Sequence, residues 1–322
     1  LLADDVHFHQ LGLVVVDEQH RFGVEQRAAL RDKGVTAAAD MLVMTATPIP
    51  RTAAMTVFGD RDQSVLDELP PGRTPIDTTW VDGDVDLADV DADPWPRVRS
   101  QVEQGRQAYV VCPLVTESET QAAKSATETL EALTEGALAG LRIGLVHGKQ
   151  KPAERDQAMR QFKDGQVDVL VATTVIEVGV NVPNASIIVV LDAGRFGMAQ
   201  LHQLRGRVGR GSYASHCVLV GEGASGDAAR RLGALCESTD GFFLSEVDLE
   251  IRGEGAVFGA RQSGMSDLRV ASLRGDRDLV SAAREDAAAL LDPDPDLGRR
   301  PGLRAEVRTA LGEDAEEWLT RS

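Results

Sequence analysis

DVLVATTVIEVGVNVPNASIIVVLDAGRFGMAQLHQLRGRVGRG, residues 168–211, decides how the rest of the chain is read. Val169 to Ala172 and Ile187 to Leu191 are short unbroken aliphatic runs, the pattern of parallel strands covered on both faces. Between Ala193 and His216 lie four arginines, Arg195, Arg205, Arg207 and Arg210, and no carboxylate. In a chain of formal charge −17, that run is a local anion site. Arg207 and Arg210 are three residues apart, so one helical turn or a tight loop can aim both the same way, and planar guanidinium forks match phosphate oxygens. A polyphosphate is the expected ligand.

Length and composition bound what surrounds this stretch. A chain of 322 residues suggests about two domains. No apolar run approaches the roughly 18 residues of a membrane span, and no basic-then-apolar leader is present; a cytoplasmic protein with no membrane partner is expected. Cys112, Cys217 and Cys236 are far apart and form no CxxC pair, which argues against zinc or a disulfide framework and fits a reducing compartment. The balance of 51 acidic against 34 basic residues argues against binding nucleic acid by bulk charge and leaves room for a local basic track. The sequence opens Leu1-Leu-Ala without methionine and reaches its first strand within about a dozen residues, so it reads as a fragment.

Outward from the central stretch, elements alternate in a way that predicts a parallel α/β sheet. Upstream come a helix from about Trp95, a strand Ala108 to Cys112, a helix Thr120 to Leu133, a strand Arg142 to Val146 and a helix Pro152 to Lys163. Further upstream, Leu11 to Val16 is an apolar strand ending in Asp17-Glu18-Gln19-His20, and Met41 to Met44 is a second buried strand running into Thr45-Ala46-Thr47-Pro-Ile-Pro-Arg51. Phe22 to Gly34 between them reads as a helix. Carboxylates at the carboxyl end of such a strand meet ligands; Asp17 can hold Mg²⁺ and Glu18 can orient an attacking water, the alternative being an exposed acidic turn. Leu69-Pro-Pro-Gly-Arg-Thr-Pro75 is a turn-rich break, giving divisions at 1–75, 76–225 and 226–322. Asp82 to Asp93 packs six aspartates into twelve residues, but Leu87 and Asp93 stand where a calcium loop needs glycine and glutamate; a solvated loop is expected. His147-Gly148-Lys149-Gln150 is one residue short of a phosphate loop and has Gln150 where Ser or Thr is required, and none of the five lysines lies in GxxxxGK[ST]. After Val220 the chain turns helical: Asp227 to Cys236 and Phe243 to Ile251 predict a helical hairpin joined at Asp240-Gly241, and Leu279 to Leu291 a further helix.

Several of these stretches carry a resemblance. Gln203-Leu-Arg-Gly-Arg207-Val-Gly-Arg210 resembles motif VI of the superfamily-two helicases and translocases, and Thr173-Thr-Val-Ile-Glu-Val-Gly179-Val-Asn181-Val-Pro resembles their motif V. DEQH followed by RFG resembles motif II, and TATPIPRT motif III, of the RecG branch of ATP-dependent DNA helicases. Asp248-Leu-Glu-Ile-Arg252-Gly-Glu-Gly and Gly259-Ala-Arg-Gln262-Ser-Gly resemble the translocation motif that this branch shares with the transcription-repair coupling factor, with departures at Glu254 and Ala256. The resemblance implies RecA-like lobes, the rear part of the first and a complete second, plus a helical module. It implies ATP and Mg²⁺ as cofactors. Asp17, Glu18, Gln19 and His20 would then be catalytic with the arginine fingers Arg207 and Arg210; Gly179, Asn181 and Gln203 would contact the nucleotide, although asparagine replaces a common aspartate at 181. Coupling would fall to Thr45, Ala46, Thr47, Arg231, Arg252 and Gln262, and DNA contact to Arg51, His147, Gly148 and Thr173, with solvated surface residues as the alternative for His147-Gly-Lys and for the hairpin arginines. Implied partners are double-stranded and branched DNA and a single-stranded-DNA-binding protein, with the enzyme a monomer. The phosphate-cradling loop is expected before Leu1. Two other readings stay open: a coupling-factor-like translocase, and a DNA-binding remnant that hydrolyses nothing.

Overall fold

Six parallel strands carry the larger part of the molecule, side by side in the order Ile76–Val81, Ser215–Val220, Ala185–Val190, Gln107–Val111, Val169–Ala172 and Ile143–Val146. The structure is a computed structural model that describes residues 6, 8–18, 39–45, 64, 66, 75–113, 119–173, 181–221, 226–252 and 277–311. Two strands precede the sheet, β1 (Leu13–Val16) and β2 (Asp40–Val43). The sheet and its cover follow as β3 (Ile76–Val81), α1 (Trp95–Glu103), β4 (Gln107–Val111), α2 (Glu119–Glu135), β5 (Ile143–Val146), α3 (Pro152–Lys163), β6 (Val169–Ala172), β7 (Ala185–Val190), α4 (Met198–Arg205) and β8 (Ser215–Val220). The chain divides into two compact units, the second of which includes everything from Gly223 onward.

Strand order and handedness together decide which helix covers which face. A crossover between parallel strands is right-handed in nearly all cases, so connections that step in opposite directions along the sheet lay their helices on opposite faces. The steps β3 to β4 and β4 to β5 go one way, and β5 to β6 and β7 to β8 go the other. On the first face Trp95 and Val98 of α1 and Ala126 and Leu133 of α2 pack against Ala108, Val110, Val169, Val171, Ile187, Val189, Val218 and Val220. Alternation along each strand sends the intervening side chains, Tyr109, Leu170, Ile188 and Leu219, the other way, and all four are buried as well. There Phe162 of α3 meets Tyr109, ring centroids 4.9 Å apart. Burying a side chain of this size contributes about 1.5–3 kcal/mol. The unbroken aliphatic runs of β6 and β7 are thus explained: neither face of these strands meets water.

The strands and helices expected from 95 to 220 are all present, with ends shifted by a residue or two. Two elements were not foreseen. β3 is an edge strand beside β8, and its sequence Ile-Asp-Thr-Thr-Trp-Val is half polar, with Pro75 before it and the aspartate run after it. α4 is a full helix in a stretch to which the sequence reading assigned no element.

β1 and β2 pair in parallel, but the expectation that they are buried is corrected. Leu13, Val15 and Leu42 are 57%, 54% and 51% exposed. These side chains alternate along the strands, so a single face of the pair is open, and a β-branched run does not reveal whether one face is covered or two. The helix expected at Phe22 to Gly34 lies outside the described residues.

The second unit contains α5 (Gly226–Glu237), α6 (Gly241–Arg252), α7 (Arg277–Leu291) and α8 (Pro301–Leu311). α5 and α6 form the expected antiparallel hairpin, with Leu232, Leu235, Leu244 and Leu249 buried. Arg230, near the start of α5, meets Glu250, near the end of α6, at 3.0 Å. Asp240 caps α6 by accepting the Phe242 N–H at 2.8 Å, which satisfies one of the helix's orphan donors.

Candidate functional site at the two edges of the sheet

At the carboxyl end of β1, Asp17 Oδ1 accepts the Glu18 N–H at 2.8 Å. Glu18 has φ 53°, a left-handed conformation that costs a non-glycine residue on the order of 1–2 kcal/mol and turns the chain sharply. The Met44 N–H donates to the Val16 carbonyl at 2.8 Å, so the ends of β1 and β2 are adjacent and Thr45 emerges beside the acidic pair. Asp17 is exposed and Glu18 half-buried.

The carboxyl edge of the large sheet gathers a second group. The Thr173 N–H donates to the Val146 carbonyl at 3.2 Å, which sets Thr173, buried at the end of β6, beside His147 at the end of β5. Gln150 folds back over this turn: its Oε1 accepts the His147 N–H at 3.1 Å and its Nε2 donates to the Leu145 carbonyl at 3.1 Å. Gln150 therefore braces the turn that carries Gly148. His147 Nδ1 is buried with no hydrogen-bond partner among the described residues, and a buried polar atom of that kind calls for a ligand or a water.

Arg207 and Arg210 stand elsewhere. α4 ends at Arg205, which is buried with its Nη2 3.0 Å from His202 Nδ1, and the arginine loop follows. The Arg207 N–H donates to the Leu204 carbonyl at 2.9 Å, and Arg210 Nε to the Gly206 carbonyl at 3.0 Å. Gly209 has φ 72°. Gly211 lies against the Pro183 carbonyl, so close that a Cβ there would stand 2.5 Å from the oxygen. Pro183 is two residues before β7, and the loop thus ends at the amino edge of the sheet, beside Asn181. Burial pushes the Tyr109 hydroxyl up to about 12, and the positive charges of Arg207 and Arg210 oppose the rise. Both guanidinium groups are thus near enough for their charge to be felt at Tyr109. Gln203 is half-buried on α4.

No motif marked the residues that anchor this loop. Tyr213 lies under Arg106, whose guanidinium carbon is 3.1 Å from the ring centroid. Arg106 Nη1 also donates to Asn184 Oδ1 at 3.3 Å. The three positions lie just outside β4, β7 and β8, where a linear reading finds only connectors. In the hairpin, Arg252 Nε is 3.0 Å from Asp248 Oδ2 on its own helix, and Arg231 of α5 is half-buried. Gln19, His20, Ala46, Thr47, Arg51, Gly179 and Gln262 lie outside the described residues.

Residues 95–212 match the helicase conserved C-terminal domain, and residues 238–303 match ATP-dependent DNA helicase RecG, domain 3, C-terminal. Over 307 residues the chain is 48% identical to the ATP-dependent DNA helicase RecG of Synechocystis sp., covering 95% of this chain and 36% of that protein. The chain belongs to the RecG family. The RecG of Bacillus subtilis is 49% identical over 294 residues, covering 91% of this chain and 42% of that protein. A solved structure of RecG bound to a three-way DNA junction is similar at TM-score 0.64 and 42% identity, covering 87% of this chain and 35% of that one. The chain thus spans less than half the length of these RecG relatives. Its α/β lobe is the helicase-type, RecA-like fold that the motifs implied, and the RecG-specific match in the helical module favours RecG over the coupling factor.

Proposed function

We propose that this chain supplies the second, RecA-like lobe and the translocation module of an ATP-dependent DNA helicase that remodels branched DNA, stalled forks and Holliday junctions, in recombination and repair. The carrying observation is the packing of Gly211 against Pro183, which brings the arginine-bearing loop and the end of the Thr173–Pro183 segment to one edge of the sheet. Two separate motifs that the family devotes to nucleotide are neighbours there.

In this reading ATP supplies the phosphoanhydride bond whose hydrolysis drives the enzyme. Arg207 and Arg210 offset charge on the transferring phosphate, and Gln203 and Asn181, with Gly179, hold the nucleotide. Asp17 fits a magnesium ion: it is an exposed carboxylate at a strand's carboxyl end, and no group of three or more His, Cys, Asp or Glu is gathered among the described residues. Magnesium suits such a site because it keeps several waters and takes one or two carboxylates. Glu18 orients the attacking water, Gln19 and His20 complete the catalytic set, and Thr45, Ala46 and Thr47 link that site to DNA grip. His147, Gly148, Thr173 and Arg51 contact the DNA backbone, and the orphaned His147 Nδ1 supports a ligand at that edge. Arg231, Arg252 and Gln262 convert closure into movement along DNA. The proposal includes the three-part division at 75 and 225, a monomer in the cytoplasm, and a single-stranded-DNA-binding protein as partner.

The test is Arg207→Ala in a restored enzyme, this chain joined to the part of a RecG relative that it does not span. DNA-stimulated kcat is expected to fall by about 10³ while ATP binding weakens far less. Equal loss in both would make Arg207 a ground-state phosphate contact and overturn the finger assignment.

A further inference from the structure

We propose that Arg106 and Tyr213 form a latch that positions the arginine loop, an inference that rests on the role proposed for Arg207 and Arg210. Gly206 to Tyr213 runs between two fixed points. At its start the loop is held by the end of α4, where the Gly206 N–H donates to the His202 carbonyl at 3.1 Å. Past Gly211 no strand begins until Ser215, and over that interval the chain is fixed by side chains. The Tyr213 ring lies beneath the Arg106 guanidinium at 3.1 Å, and Ser215 Oγ donates to the Tyr213 carbonyl at 3.2 Å.

Arg106 is itself held by a network on the amino edge of the sheet. Its Nη1 donates to Asn184 Oδ1 at 3.3 Å. Asn184 Nδ2 donates to the Gly105 carbonyl at 3.0 Å and to Gln107 Oε1 at 3.3 Å. Gln107, buried at the start of β4, donates through Nε2 to the Val167 carbonyl at 2.8 Å. The Gln107 N–H meets the Asn184 carbonyl at 3.1 Å. Three strands, β4, β6 and β7, are thus tied together at their amino ends, and Arg106 extends that tie to the loop. Tyr213 is 44% exposed. A half-exposed tyrosine gains little from burial, and the stacked guanidinium adds a specific hold on its ring.

A guanidinium finger works only where it meets developing charge, and a misplacement of about 1 Å can cost on the order of 10² in rate. Arg106 and Tyr213 are positioning residues acting through Arg207 and Arg210. Releasing the latch should lower kcat and leave nucleotide affinity nearly intact.

Two measurements decide it. In this chain, amide hydrogen exchange over residues 206–213 is compared for wild type, Arg106→Ala, Tyr213→Ala and Tyr213→Phe. Both alanine variants should exchange faster in this loop and not in β4 or β7, and Tyr213→Phe, which keeps the ring, should match wild type. In the restored enzyme, Arg106→Ala and Tyr213→Ala should lower kcat about tenfold with KM for ATP changed less than about twofold, consistent with a shift of well under 1 Å. Arg106→Ala should cost less on an Arg207→Ala background than in the wild type, because only Arg210 is then left to position. Unchanged loop exchange in both alanine variants overturns the latch. So does a rise in KM at constant kcat, which would make Arg106 a nucleotide contact, and so does full additivity with Arg207→Ala. Faster exchange together with an Arg207→Ala enzyme of normal kcat would keep the latch as a loop restraint and overturn the finger reading alone.

Discussion

Gly211→Ala is the sharpest single probe of the site, because the contact it disturbs is between two backbones. An added Cβ would stand 2.5 Å from the Pro183 oxygen and 3.5 Å from its carbonyl carbon. Carbon and carbonyl oxygen settle at about 3.3–3.6 Å, so the two segments must part by roughly 1 Å. The Pro183 side cannot give readily. Proline fixes its own φ, Val182 is 1% exposed, and the Ala185 N–H is bonded to the Val182 carbonyl at 3.1 Å. The arginine loop must move instead. Overpacking of this kind costs about 1–3 kcal/mol, and a domain of this size loses about 2–4 °C per kcal/mol, so thermal unfolding of the chain should come roughly 2–12 °C lower. Gly206→Ala is the control. That glycine has φ −67°, and its nearest Cβ contact is the Gln203 carbonyl oxygen at 3.3 Å, so alanine fits with a displacement of a few tenths of an ångström and Tm should change little. In the restored enzyme the same displacement should cost Gly211→Ala on the order of 10² in kcat. A Gly211→Ala chain that unfolds at the wild-type temperature, or together with Gly206→Ala, would refute the packing argument and with it the joining of the two motifs.

Three other outcomes are expected. This chain by itself, which has no GxxxxGK[ST] among its five lysines, should show no DNA-stimulated ATP hydrolysis above background in a phosphate-release assay; turnover would mean that another element cradles phosphate. Arg252→Ala or Gln262→Ala in the restored enzyme should keep most DNA-stimulated hydrolysis and lose most unwinding of a model fork, both measured on one preparation; a proportional fall in the two would make the segment structural. The hydrogen bonds from the Arg142 side chain hold the Asp168 carboxyl below its ordinary value, against a smaller effect of burial. A depressed carboxylate stabilises the fold above its unfolded pKa of about 3.9 and loses that contribution as pH falls towards the folded value. The Tm gap between wild type and Asp168→Asn should therefore be constant above about pH 5 and close below it; a gap that widens in acid would reverse the sign.

Legibility tracked how local the signal was. β6 and β7 declared themselves because their side chains are apolar on both faces, and α3 because Pro152 and the Phe162 position bracket an amphipathic run. β3 did not, because an edge strand with a half-wet face needs few apolar residues. The same limit hid the uncovered face of β1 and β2, since Leu13 and Leu42 look alike whether a layer lies over them or not. Among candidate site residues, Arg207 and Arg210 were singled out by type and spacing, and Asp17 by its place after an apolar strand. Arg106, Asn184 and Tyr213 were not: each is an ordinary residue in a connector, and the contact between Arg106 and Tyr213 spans more than a hundred residues of sequence. Only the strand order, which puts β7 between β4 and β8, brings those connectors to one edge.

That strand order also bears on how the proposed activities are joined. β5 and β6 are four residues long, so the edge with His147 and Thr173 is about 13 Å from the edge with Asn181 and Arg210, at roughly 3.3 Å per residue. A side chain does not bridge that gap, and no direct contact between a phosphate clamp on one edge and a DNA contact on the other is to be expected. At one edge Thr173 is bonded to β5 through the Val146 carbonyl, and at the other Pro183 supports Gly211. Because the sheet between is closely packed, with Leu170, Ile188 and Val171 fully buried, it transmits displacement as a rigid body and not by local yielding. Movement imposed on the arginine loop by nucleotide would then reach the DNA edge as a motion of the whole lobe. If phosphate is held at one edge and DNA at the other, as proposed, hydrolysis and stepping become separable, since residues of one edge can be removed without touching the other.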